Sequence, residues 1–265
     1  MSAGPVQHSV TRRIWAHSDA VLLVFAGAAA EFALNRAADW LFVTGGLPRD
    51  PIGRVFRTVR HAQLLAFGGA ADAERALEQI RRAHATVEAA RGETIPAWAY
   101  RAVLYMLMYY SERAHTLVHR PLTEAEQQHL YADFRRIGEG LAISALPASY
   151  DAWSADRARQ VADDLAWTDQ TAALYAAYRR QLGSWRYALL RRVQAVLVPA
   201  TLRRVLQLPS PRLASPIEVY RLLRAARLGS LAQRALMPRR YWADLRLLNV
   251  RHGVNGDEPK RAPAA

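Results

Sequence analysis

The stretch DPIGRVFRTVRHAQLLAF, residues 50–67, decides the fold class of this 265-residue chain. It begins with Asp50, whose carboxylate can accept backbone N–H groups, and Pro51, which is favoured at the first position of a helix. The apolar end of the stretch is followed by Gly68 and Gly69, which predict a stop. The stretch is therefore predicted to form one helix.

Similar start and stop signals recur along the whole chain. Thr123 and Glu126 have the spacing of a capping box, Gly92 is placed to end a helix, and Pro96 to open the next one. No alternating strand pattern of useful length and no internal repeat is present. The fold class is therefore predicted to be all-α, in a single multi-helix globular domain. The predicted helices span 18–42, 50–67, 72–91, 96–118, 123–143, 149–167, 169–182 and 184–198, with a further one starting at 215–216.

Composition excludes several kinds of site. The chain has no cysteine, which removes disulfides, iron–sulfur clusters, thiolate-ligated haem and cysteine nucleophiles. Any metal must then be held by histidine or a carboxylate. The net charge of +13 is almost entirely arginine, since Lys260 is the only lysine. There is no basic block or helix-turn-helix pattern, so nucleic acid is not a predicted partner.

The longest apolar run, residues 20–30, ends at Glu31 and is shorter than the roughly 20 residues that span a bilayer. The first sixteen residues lack a secretory signal pattern. The chain is therefore predicted to be cytoplasmic and without a transmembrane span. Residues 221–251 are rich in arginine and could touch a membrane surface peripherally, although packing onto the core is the simpler expectation.

His84 is the histidine with the clearest chemical potential. It lies between apolar positions on the stripe of the helix at 72–91, where a neutral imidazole can ligate iron or simply bond a backbone carbonyl. On the preceding helix, Arg54, Thr58 and His61 share one face. An arginine with a hydroxyl one turn away can bind a carboxylate, but a solvated polar face has the same pattern.

A second pattern points to a different metal site. Glu112 and His115, like Glu126 and His129, have the Glu-x-x-His spacing of di-iron carboxylate bundles. Such a site needs two further glutamates on facing helices, for which Glu31 is one candidate. Tyr105 and Tyr109 share a face of the apolar helix after Pro96, where they could line a pocket or serve as core residues.

Two linked segments resemble a known family. The stretch EFALNRAADWLF at 31–42 is followed by LPRDPIGRVFRT at 47–58, and then by an apolar residue, a spacer and a histidine at 80–84. This pattern is similar to that of the oxygenase MpaB and latex-clearing-protein (rubber oxygenase) family. The resemblance covers roughly residues 21–206 and implies a helical catalytic domain.

The resemblance also implies a cofactor and residue roles. In the latex-clearing branch the domain binds haem b, so the match implies an internal haem-sized pocket with His84 as the axial iron ligand. Arg54 and Thr58 match residues needed for a functional haem site, and Arg57 matches a lysine beside the haem. Asp39 lies near the place of the family's distal glutamate.

The leading hypothesis is a haem b-dependent oxygenase or oxidase that acts with O₂ on a small apolar, unsaturated substrate. Its predicted substrate side is Trp40, Tyr105 and Tyr109. The alternatives are a non-catalytic helical binding protein for an apolar ligand and a di-iron oxidase using Glu112 and His115. The sequence does not indicate an oligomeric state.

The expected domain organisation is one catalytic unit with flanking segments. Residues 1–17 are predicted to be an N-terminal extension and 18–206 the helical catalytic domain. Residues 207–252 are predicted to be C-terminal helices packed on that domain, and the polar residues 253–265 a disordered tail.

Overall fold

The helix signal at Asp50 is confirmed in the computed structural model, which describes residues 9–42, 46–211, 216–226 and 228–248. The Asp50 side chain accepts a hydrogen bond from the Gly53 amide at 3.0 Å, Pro51 occupies the first turn, and the helix ends at Phe67. Gly92 ends its helix with φ +75°, a conformation that glycine adopts readily. The Thr123–Glu126 capping box is also present.

The described residues form helices and no strand, so the all-α prediction is confirmed for them. They build one domain. The α-helices are α1 Val10–Trp15, α2 Ser18–Phe32, α3 Asp39–Phe42, α4 Gly46–Arg49, α5 Pro51–Phe67, α6 Ala70–Arg91, α7 Ala97–Val118, α8 Glu124–Gly140, α9 Tyr150–Asp163, α10 Asp169–Leu182, α11 Ser184–Leu197, α12 Ala200–Val205, α13 Pro216–Ala225, α14 Gly229–Leu236 and α15 Trp242–Leu248, with 3-10 turns at Arg36–Ala38 and Arg239–Tyr241.

The core forms around α2 and α7, the helix pair with the most extensive contact. Gly27 on α2 permits this contact, because a Cβ built there would lie 2.2 Å from the ring of Tyr110 on α7. Helix α11 packs on α2, and α10 packs on α11. Helices α5 and α6 form an antiparallel hairpin whose two members pack along each other.

The prediction of one helix over 18–42 is wrong. Helix α2 ends at Phe32, and the chain then forms an isolated bridge between Asn35 and Leu165. The Asn35 side chain accepts the amide of Ala37 at 2.8 Å and so starts the 3-10 turn. Because asparagine offers the backbone an alternative to helical bonding, the helix breaks there.

The structure describes part of the predicted N-terminal extension and none of the predicted C-terminal tail. Helix α1, inside the predicted N-terminal extension, buries Val10, Ile14 and Trp15 against the core. The predicted tail at 253–265 lies outside the described residues, and the proposed domain limits stay predictions. Among the helices of the described part, none has the length and hydropathy needed to traverse a bilayer.

Candidate active site

His84 lies on α6 and faces the beginning of α7. Its ring meets the Tyr100 ring edge-on, with ring centroids 4.8 Å apart. The imidazole is partly buried, and neither of its nitrogens hydrogen-bonds another residue of the described chain. Burial lowers its pKa, and so does the positive charge of Arg54. The histidine therefore presents a neutral ring with nitrogens available for a ligand.

Arg54 on α5 is the cation whose charge lowers the pKa of His84. Its guanidinium is partly buried and has no ion pair or hydrogen bond to any residue in the described ranges. Burial lowers its pKa, and the charge of Arg57 lowers it further. A partly desolvated cation without a counter-charge is costly. The position therefore favours an anionic group beside His84.

Glu88 binds the tyrosine that packs against His84, and it is a residue that the sequence patterns did not indicate. One carboxylate oxygen accepts the Ile95 amide at 2.8 Å and the Tyr100 hydroxyl at 3.4 Å. Burial and this carboxylate raise the pKa of Tyr100 to about 12. Glu88 lies one helical turn after His84, so its i, i+4 spacing was the signal that could have revealed it.

Two other polar residues of α5, Thr58 and Arg57, have partners in the protein. The Thr58 hydroxyl donates to the Arg54 carbonyl oxygen at 3.1 Å, a bond that serine and threonine commonly make within a helix. Arg57 is exposed, and its guanidinium lies 3.7 Å from Asp50 Oδ2. Of Arg54, Arg57 and Thr58, Arg54 is thus the one that is both partly buried and unpaired within the described chain.

Asp39 and Trp40 lie near the C-terminal end of α6. Trp40 is buried, and the guanidinium carbon of Arg91 lies 4.1 Å from its ring centroid. Trp40 packs in one apolar cluster with Val87 of α6. Burial raises the pKa of Asp39, although the charges of Arg91 and Arg36 oppose the shift. The structure therefore brings both residues to the helix that carries His84.

Tyr105 and Tyr109 instead face α9. The Tyr105 hydroxyl donates to Asp156 Oδ2 at 2.9 Å, and its ring packs edge-on against Trp153. The guanidinium carbon of Arg157 lies 4.2 Å from the Tyr109 ring centroid. Both tyrosines are thus held by side chains of α9, whereas Trp40 is the predicted substrate-side residue that lies near α6.

The structure does not bring the residues predicted for the di-iron alternative together as metal ligands. The Glu112 carboxylate accepts Gln127 Nε2 at 2.7 Å and the Tyr150 hydroxyl at 2.8 Å. Glu31 is bonded to Arg157 by both carboxylate oxygens. No group of three or more histidines and carboxylates in the described residues could hold a metal ion. A haem iron needs only one axial histidine, so the same finding does not weigh against a porphyrin.

His115 lies in a different polar cluster. It is buried on α7, both ring nitrogens lack a hydrogen-bond partner, and its ring stacks on His119 at 4.9 Å. The ring centroid of His17, the residue before α2, lies 5.2 Å from that of His119. Burial lowers the pKa of His115 to about 4, and the charges of His119, Arg13 and Arg120 act in the same direction while Glu126 opposes it.

This cluster predicts loss of stability in mild acid. A histidine in the unfolded chain has a pKa near 6.5, so it binds a proton as the pH falls below that value. In the folded protein, His115 stays neutral until the pH approaches its pKa of about 4. The free energy of unfolding is then expected to fall by roughly 2–4 kcal/mol between pH 7 and pH 4 through this group. Urea unfolding at several pH values measures the slope.

The matched variants are His115→Leu and His129→Leu, the latter at an exposed position of α8. His115→Leu is expected to flatten the pH dependence of unfolding between pH 6.5 and 4, whereas His129→Leu is expected to leave it unchanged. An equal slope in parent and His115→Leu would refute the assignment of this titration to His115.

The comparisons with known proteins identify the domain. A family model described as "ER-bound oxygenase mpaB/B'/Rubber oxygenase, catalytic domain" matches residues 12–228. The comparison with curated proteins gives no match, and that with solved structures gives none either. The matched region covers most of the chain and includes α5, α6 and α7. The chain therefore belongs to the mpaB/rubber oxygenase catalytic-domain family.

Proposed function

We propose that this protein is a haem b-dependent oxygenase or oxidase of an apolar, unsaturated small molecule. One observation carries the proposal: α5 and α6 pack along each other, and the charge of the unpaired, partly buried Arg54 guanidinium lowers the pKa of the unpaired His84 imidazole. A haem presents both an iron that takes an axial imidazole and propionates that take a cation. The family supports oxygen chemistry in general; haem and the substrate class are our proposal.

The protonation state of His84 suits an iron ligand. Only a neutral imidazole nitrogen can bind a metal, and burial and Arg54 keep the pKa of His84 below its usual value. In many metal sites the second ring nitrogen donates to a carboxylate or carbonyl. Glu88, one turn along the same helix, is the carboxylate that acts on the charge of this ring. The Glu88 hydrogen bond with Tyr100, whose ring packs edge-on against His84, gives Glu88 an indirect role in positioning the histidine.

Arg54 is the proposed partner of a propionate or of an oxygen group. Its planar guanidinium can form two parallel hydrogen bonds with a carboxylate, and in a partly buried position such bonds are less screened by water. Thr58 contributes by holding the Arg54 backbone carbonyl within α5. Arg57, exposed and close to Asp50, would then contact the rim of the cofactor site.

Bound haem supplies the oxygen chemistry, and the protein supplies orientation, charge and exclusion of water. Trp40 forms an apolar wall next to α6 that suits a hydrocarbon-like substrate. Asp39, whose pKa is raised by burial, is the proposed group that accepts or donates a proton. Tyr105 and Tyr109 would act from the α9 side, at the edge of the substrate space.

An absorption spectrum of the protein purified after expression with added haem precursor tests the proposal. We expect a Soret band, a haem content near one per chain by the pyridine haemochrome assay, and a matching iron content. Arg54→Ala is expected to lower haem content severalfold at unchanged helicity. Arg60→Ala, an exposed arginine on the same helix, is the matched control and is expected to retain haem.

Each other result has a clear meaning. A colourless protein without iron that still binds apolar probes would replace the oxygenase with a binding protein. Iron in the absence of a Soret band would favour a non-haem site, which Glu112→Ala would then test. Equal haem content in Arg54→Ala and Arg60→Ala would show that Arg54 does not contribute to haem binding. The role of His84 would then rest on its own variant.

A further inference from the structure

The positive charge of this chain is concentrated in its C-terminal third. Residues 171–248 contain fifteen arginines and two carboxylates, Glu218 and Asp244, which gives a net charge of +13. This equals the net charge of the whole chain, so all the other residues together are neutral. Such an asymmetry between parts of one chain indicates an anionic partner for the basic part.

The arginines of the two parts also differ in their partners. On α6 and α8, Arg81 pairs with Glu74 and Arg135 pairs with Glu139. Within 171–248, none of the arginines whose side chains the structure describes forms an ion pair. The ion pairs on α6 and α8 neutralise charge on the surface of those helices. The described arginines within 171–248 have no such pair, so their positive charge can act on an external partner.

Exposed apolar and aromatic side chains accompany this charge. Trp185 is 53% exposed, Leu231 is 59% exposed and Trp242 is 36% exposed. Single exposed apolar residues are ordinary, but large ones beside unpaired arginines form an amphipathic surface. Tryptophan and arginine are side chains that suit a boundary between water and lipid.

Hydrogen bonds join these residues into one surface. Arg186 Nε donates to the Ala235 carbonyl of α14 at 3.0 Å, and its guanidinium carbon lies 4.4 Å from the Trp185 ring centroid. Trp242 Nε1 donates to the Arg234 carbonyl at 3.1 Å, which ties α15 to α14. We call this the basic–aromatic surface, and its members are Trp185, Arg186, Leu231, Arg234, Arg239 and Trp242.

We propose that the basic–aromatic surface binds the face of an anionic lipid bilayer. Leu231 and the two tryptophans would enter the headgroup region, while the arginines contact lipid phosphates. A nucleic acid offers phosphates too, and its bases can stack on tryptophan, but it gives no reason for an exposed leucine among the arginines. The apolar members therefore decide in favour of lipid. The proposal depends on neither haem nor the assigned activity.

Vesicle co-sedimentation tests this binding on the full chain. The vesicles are phosphatidylcholine alone and three parts phosphatidylcholine to one part phosphatidylglycerol. The test variant is Leu231→Glu with Trp185→Glu, both at positions more than half exposed. The control is Gln128→Glu with Ala132→Glu, two exposed positions of α8 that give the same change of net charge.

The parent and the control are expected to sediment with the anionic vesicles and to be released as salt rises from about 0.1 to about 0.5 M. The test variant is expected to bind at least about tenfold more weakly at equal helicity, because it loses apolar insertion and gains charge. Equal binding by test variant and parent, or no binding by the parent, would overturn the proposal.

Two further outcomes would also overturn it by naming a different partner. Binding of the parent to duplex DNA but not to vesicles would assign the arginines to nucleic acid. A dimer seen by analytical ultracentrifugation in the parent and lost in the test variant, without vesicle binding, would assign the surface to a second copy of this chain.

Discussion

Replacing Arg157 by methionine is expected to lower the free energy of unfolding by about 3–5 kcal/mol. The Arg157 guanidinium donates to the two carboxylate oxygens of Glu31 at 2.8 and 2.6 Å, and the two side chains are 5% and 2% exposed. Removal of the cation leaves a carboxylate buried between α2 and α9 without a counter-charge. The protein must then protonate that group or admit water to it.

Urea unfolding followed by circular dichroism measures this effect. Arg159→Met is the matched control, because Arg159 lies on the same helix and pairs with Asp156 but is 72% exposed at its side chain. A surface pair of that kind is worth about 1 kcal/mol or less. If Arg157→Met and Arg159→Met lower the free energy of unfolding by the same amount, the buried pair contributes no more to stability than the surface pair, which would contradict the prediction.

The double variant Glu31→Gln with Arg157→Met separates lost attraction from stranded charge. With both charges removed, much of the penalty for the unpaired carboxylate is expected to disappear, so the double variant should be more stable than Arg157→Met alone. A double variant as unstable as the sum of both single variants would show that the two residues act independently, against the bidentate contact.

This pair shows where prediction from sequence ends. In the sequence, Glu31 is notable only as the residue that ends an apolar run. Its partner, Arg157, lies 126 positions later in the chain. No local pattern connects them, since their contact exists only once α2 and α9 pack against α7. The same holds for the hydrogen bond that the Ala166 amide donates to the Leu34 carbonyl, which lies beside the local Asn35 turn where the helix expected over 18–42 is interrupted.

Helix positions were predictable because their causes are local. An N-cap such as Asp50, a capping box at Thr123 and a C-terminal glycine at 92 each act within one turn, so the sequence contains the whole interaction. His84 and Arg54 could be named through the family pattern. What required the structure was that both lack partners in the described chain, and that Glu88 rather than a distant residue accompanies the histidine.

Replacing His84 by glycine is expected to have the largest effect on the proposed site. Without the axial imidazole, haem content should fall at least tenfold, since the remaining residue Arg54 offers charge to a propionate but no iron ligand. Glycine within a helix also costs about 1 kcal/mol of stability relative to alanine. His129→Gly on exposed α8 carries the same helix cost and is the control.

Free imidazole distinguishes a lost ligand from a damaged fold. Removal of the side chain leaves a space on α6 beside Tyr100, and a soluble imidazole at millimolar concentration can enter it and bind iron in place of His84. We therefore expect imidazole to restore the Soret band and part of the haem content of His84→Gly, and to do so less well when Arg54→Ala is added. If His84→Gly binds as much haem as His129→Gly, the iron is held by another residue, and the arrangement of His84 with Arg54 serves packing and charge alone.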